Sequence, residues 1–158
     1  MKTAEKSGAQ PAAGTVLAVC LSAKKGTVKH AVPSIRLRKG HGADGDAHAG
    51  PGDRQVSLLA DEKIDLMRAR GLALKPGAFG ENVVTRGVDP SAIPPGTVLR
   101  IGRTVSVLIT IIGKTCHTRC AIFYRTGTCI MPVYGVFGRV LRGGVVKRGD
   151  PVRIAAAP

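Results

Sequence analysis

Glycine and proline interrupt this chain every few residues, 21 and 10 of them in 158 positions. The apolar runs left between them are short and rich in β-branched side chains, which suits strands rather than helices. Strands are predicted at Gly14–Leu21, Val32–Leu37, Arg54–Leu59, Asn82–Thr85, Thr97–Ile101, Thr104–Ile112 and Pro151–Ala155. Gly102-Arg103 would turn a tight hairpin between two of these runs. Thr104–Ile112 (TVSVLITII) is almost entirely apolar or β-branched, so both its faces are expected to be covered.

One stretch reads clearly as helix, Asp61–Arg70. It opens on acidic residues and closes on Arg68, Arg70 and Gly71, as the macrodipole and a glycine C-cap favour. Gly135–Leu141 reads as a second short helix stopped by Gly143-Gly144. The expected fold is mainly β, a single-domain barrel with one or two short helices. Residues 1–13 read as a flexible lead-in and 14–158 as the folded domain.

The net charge is +14, a field that attracts anions. Nucleic acid would want stacking aromatics, and three Phe and two Tyr supply few. No apolar run approaches the ~18 residues of a membrane helix. Residues 1–14 carry lysines without an apolar core, so they do not resemble a secretory signal. Cytoplasm is therefore expected, where four cysteines remain thiols or metal ligands.

Three clusters could carry chemistry. Residues 41–53 (HGADGDAHAGPGD) are dense in glycine, His and Asp, with Asp46 and His48 as acceptors, bases or ligands. Residues 76–82 (PGAFGEN) set Glu81 and Asn82 just before a strand. Each also reads as a plain polar turn or hairpin loop. Residues 113–120 (GKTCHTRC) place Cys116 beside Lys114, His117 and Arg119. Positive neighbours lower a thiol's pKa, and the thiolate is the form that attacks sulfur or binds a soft metal. Buried cysteine is the plain alternative for Cys116 and Cys120. Cys116, His117, Cys120 and Cys129 could instead hold structural zinc, although adjacent Cys116 and His117 rarely reach one ion together.

Taken in order, these motifs resemble the MOSC domain, the C-terminal module of molybdenum-cofactor sulfurases. The shared marks are Gly45–Gly50 (GDAHAG), Arg54–Leu59 (RQVSLL), Pro76–Asn82 (PGAFGEN), Gly96–Gly102 (GTVLRIG) and Cys116, with a tail similar to the stand-alone bacterial members at Cys129–Pro132, Gly135–Phe137 and Arg142–Gly144. Thr115 and Tyr134 depart from the residues that relatives often carry there, a proline and an acidic residue.

The resemblance implies a β-barrel that binds the molybdenum cofactor, a pterin with a dithiolene and a phosphate. It places Cys116 as sulfur carrier or molybdenum ligand, holding persulfide sulfur in the first case, with His117 or Lys114 keeping it ionised. Arg54, Lys114 and Arg119 are the expected phosphate contacts; Asp46, His48, Glu81 and Asn82 would form the pterin site. The pyridoxal-phosphate desulfurase fused to sulfurases has no room here, so a separate cysteine desulfurase or other sulfur donor, and a molybdoenzyme or cofactor-biosynthesis protein, are the expected partners. Some stand-alone relatives instead reduce N-hydroxylated compounds. A non-enzymatic cofactor carrier and a zinc-stabilised basic binding module are the alternatives.

Overall fold

The computed structural model describes residues 13–113 and 129–155. Eleven strands lie among them. They are β1 (Ala13–Leu21), β2 (His30–Val32), β3 (Ser34–Arg38), β4 (Gly42–Ala43), β5 (Val56–Ala60), β6 (Val83–Arg86), β7 (Val98–Ile101), β8 (Val105–Ile112), β9 (Val136–Arg142), β10 (Gly144–Lys147) and β11 (Pro151–Ile154). Helix α1 spans Asp61–Arg68, and a single helical turn, α2, spans Met131–Tyr134.

Seven strands run in the order β11-β7-β8-β9-β5-β6-β1, and β1 pairs back to β11, so the sheet closes into a barrel. The fold is mainly β, as expected. β2 extends the sheet along the second half of β1. A small sheet, β10-β3-β4, packs on the barrel. Among the described strands only β5 and β6 pair in parallel, because α1 carries the chain across between them.

Apolar residues divide into two clusters by strand alternation. Val16, Val56, Leu58, Val107 and Ile109 point into the barrel, joined by Ile35, Leu37 and Val146 of the small sheet. Ala18, Cys20, Leu59 and Val84 face outward beneath Ile64 and Met67 of α1. Asp61, in the first turn of α1, is buried and pairs with Arg68 at 2.8 Å and Arg86 at 2.5 Å. The helix ends near its expected stop, with Gly71 at φ +91°.

Four expectations are corrected. Gly135–Leu141 is not a helix: β9 occupies most of it, between β8 and β5. Two glycines and two valines give it little helical propensity, and Gly138 is needed because a Cβ there would lie 2.4 Å from Val107 Cγ1. Gly143-Gly144 therefore joins two strands rather than capping a helix. The run Val32–Leu37 is cut at Pro33, where the chain leaves β1 for the small sheet; proline has no N–H to give to either ladder. Both-face burial falls on β5, every residue of which is buried, and not on β8, whose outer residues are half-buried. The cause is α1, which is short and covers only β5, β6 and β1. Finally, Ile101 pairs with Val105, so the hairpin loop has Thr104 as a third residue, with Gly102 at φ +65°.

Candidate functional site

The loop 44–55 is held by Asp46. Its carboxylate accepts from the Ser22 N–H at 3.1 Å, the His48 N–H at 3.3 Å, and the Lys29 ammonium at 2.7 and 3.0 Å. The two charged side chains are 1% and 0% exposed. Burial pushes the Asp46 carboxyl up, but the Lys29 and Ser22 hydrogen bonds outweigh it and leave the group below the usual carboxylate range. Lys29 Nζ also lies 3.1 Å from His48 Nδ1. An ammonium can only donate, so Nδ1 is the accepting atom in this contact. His48 itself is exposed, at the edge of this buried pair.

The same lysine ties down the second loop. Its backbone N–H donates to Gly77 O at 3.0 Å. Gly77 sits at φ +93°, and a Cβ there would lie 2.1 Å from Lys29 O, so the approach needs glycine. Glu81 is fully buried and accepts from the Gly77 N–H at 2.8 Å and the Phe79 N–H at 3.0 Å, which curls the loop onto its own carboxylate. Burial nevertheless raises its pKa. Asn82, 1% exposed, accepts from the Ser57 N–H and donates to Cys20 O, both at 3.1 Å, and so bonds loop, β5 and β1 together.

Among the sequence-predicted site residues, Asp46, His48, Glu81 and Asn82 therefore belong to two loops that Lys29 brings together. The side chains of Asp46, Glu81 and Asn82 are occupied by the chain's own backbone and by Lys29. Arg54 stands apart on the far end of the first loop, exposed, with its guanidinium 5.1 Å over the Phe137 ring. Beside that end a cleft of about 320 Å³ opens between Lys39, Gly52, Gln55 and Arg139. Cys116, His117, Lys114, Arg119 and Cys120 lie outside the described residues. The flanks of their segment are in place: the Gly113 N–H donates to Gly135 O at 2.6 Å, and Cys129 packs against the cluster beneath α1. Tyr134, at the departure noted above, lies under the Lys63 ammonium at 4.6 Å. Of the four residues considered for zinc only Cys129 is described, and no group of three metal-ligating side chains occurs among the described residues.

Sequence reasoning missed Lys29, Ser22, Ser57 and Cys20. Lys29 is one of 24 basic residues and nothing local marks it; only the fold sets it against Asp46. Cys20 is fully buried, and burial together with the Glu81 charge pushes its thiol up to about 12. It is a core residue at neutral pH.

A closed barrel with two glycine-rich loops fastened at one side defines a class of small β-barrel domains, and the family match makes it specific. The MOSC domain model matches residues 38–153, and the chain belongs to that family, which is associated with the molybdenum cofactor. The fold is similar to that of YuaD from Bacillus subtilis, with a TM-score of 0.77 at 17% identity over 92% of this chain and 97% of that one. It is also similar to YiiM from Geobacillus stearothermophilus (TM-score 0.64, 18% identity, 89% and 74% covered) and to YiiM from Escherichia coli (0.60, 18%, 91% and 71%). No curated protein sequence matches the chain. No helix among the described residues is long and apolar enough to cross a membrane.

Proposed function

We propose that this chain handles the sulfur chemistry of the molybdenum cofactor through Cys116. The supporting observation is the tie through Lys29. It holds the two loops that carry the family's motifs in one rigid arrangement, with His48 exposed at its edge. Rigid loops around a donor-bearing side chain suit a site that must orient a ligand.

A phosphate-bearing pterin is the proposed ligand: His48, at the edge of the Lys29 tie, is proposed to border it, and Arg54, Lys114 and Arg119 are the proposed cations for its phosphate. Asp46, Glu81 and Asn82 act one step back, by fixing the loops. When bound, the cofactor would supply a metal centre with an exchangeable sulfur position, and Cys116 is the residue that would hold that sulfur or ligate the metal. As a carrier, the Cys116 thiolate attacks the outer sulfur of a donor persulfide. A new sulfur–sulfur bond forms on Cys116, the donor's breaks, and the donor leaves as thiolate. The proposed donor is a cysteine desulfurase and the proposed receiver a molybdoenzyme or a cofactor-biosynthesis protein.

The test is to incubate the protein anaerobically with a cysteine desulfurase and cysteine, then measure protein-bound sulfane sulfur, molybdenum and pterin. Wild type should take up about one sulfur per chain, and Cys116→Ser should take up none while keeping its circular dichroism spectrum. Equal loading of the two would refute the proposal.

A further inference from the structure

On the outer wall of the barrel three arginines stand in one row. Arg153 of β11 pairs with Arg100 of β7; Arg100 pairs with Ser106 of β8; Ser106 pairs with Arg142 of β9. Residues directly opposite across a ladder share a face, with Cβ atoms about 4.5–5.5 Å apart. The inward neighbours Val152, Leu99, Ile101 and Val105 are buried, so the row faces out. Arg103 joins it from the β7–β8 turn. Together with Thr104 and Ser106 these arginines line a cavity of about 210 Å³.

Like charges set opposite each other on a sheet destabilise it, and a protein normally answers them with carboxylates. Here it does not. The described acidic side chains have other partners: Asp44 pairs with Arg38, Asp46 with Lys29, Asp53 with Arg139, Asp61 and Asp65 with Arg68 and Arg86, and Asp89 with Lys63, while Asp150, close to Gly102 at the edge of the cavity, pairs with Lys147. Glu62 and Glu81 accept from backbone N–H groups. No ion pair reaches Arg100, Arg103, Arg142 or Arg153 among the described residues. Four guanidinium groups around one concavity, with a hydroxyl in the middle of the row, have no ion-pair partner among the described residues.

We infer that this cavity is a binding site for a phosphate-class oxyanion, the phosphate or diphosphate group of a small ligand. A monocarboxylate would offset one of the four charges, whereas a tetrahedral polyanion presents several oxygens to several planar guanidinium forks. The volume equals about seven waters, at ~30 Å³ each, which accommodates a diphosphate. The site shares no residue with the Lys29 loops and stands independently of the sulfur-carrier proposal.

Isothermal titration with sodium pyrophosphate, inorganic phosphate and acetate tests it, on wild type, Arg100→Gln/Arg153→Gln and the exposed, charge-matched control Arg70→Gln/Arg148→Gln. Pyrophosphate should bind wild type at one equivalent, more tightly than phosphate, and acetate should not bind. The double variant should bind at least tenfold more weakly, the control within twofold of wild type. The double variant without ligand should also melt at or above the wild-type temperature, because like-charge repulsion has been removed. Equal weakening of control and double variant would show nonspecific attraction to net charge and overturn the assignment. So would tight binding of a single-stranded oligonucleotide with none of pyrophosphate.

Discussion

Replacing Lys29 with methionine isolates the contact on which both loops depend. Methionine keeps most of the hydrocarbon stem, so the lost term is electrostatic. What remains is the Asp46 side chain, 0% exposed, without its ammonium partner at 2.7 and 3.0 Å. Breaking one partner out of a buried pair costs about 3–5 kcal/mol, because the other charge stays buried and uncompensated. With a urea m-value of about 2 kcal/mol/M, the unfolding midpoint at neutral pH should fall by roughly 1.5–2.5 M. The loss should also depend on pH. In wild type the Asp46 pKa is depressed in the folded state, so its contribution is complete above the unfolded carboxylate value and is lost as pH falls through the folded one. In the variant only the remaining hydrogen bonds, Ser22 N–H and His48 N–H among them, still oppose burial, so the folded pKa rises from its wild-type position and the deficit should narrow as pH falls through the carboxylate range. Adding Asp46→Asn, which removes the stranded charge while keeping an acceptor for the Ser22 and His48 N–H groups, should restore more than half of the loss. A midpoint within about 0.3 M of wild type, or a deficit flat across this pH range, would refute the account.

Two further outcomes follow from the same geometry. Gly42→Ala should cost more than about 2 kcal/mol in urea unfolding, since φ is +117° and the new Cβ would lie 2.1 Å from Gln55 O; Gly45→Ala, at φ +81° with open space, should cost only about 1 kcal/mol, and equal costs would contradict the steric argument. Cys20 should escape iodoacetamide in the native protein at mildly alkaline pH and react once urea unfolds it, because its thiol is buried and pushed up to about 12; labelling of Cys20 in the native state, read by peptide mass spectrometry, would show that this part of the core opens.

Strand-forming runs such as Thr104–Ile112 were legible because β-branched residues and flanking glycines act locally, and so was α1, whose charges and final glycine mark both ends. Motif order made the two loops recognisable. The partners of their polar residues within the protein were not legible. Asp46, Glu81 and Asn82 read as ligand contacts, yet their side chains bond the protein itself. Nothing in a linear pattern says whether a carboxylate faces a ligand or its own backbone.

Local chemistry in the sequence by itself determined that this chain would be a glycine-punctuated β structure with one clear helix, and motif order its family. Tertiary structure decided that residues 136–142 would be a strand, that Lys29 would meet Asp46 from 17 positions away, and that arginines from three strands would share one face. Those outcomes depend on which strand lies beside which, and pairing partners are chosen by closing the barrel around a common core, a condition no short segment carries.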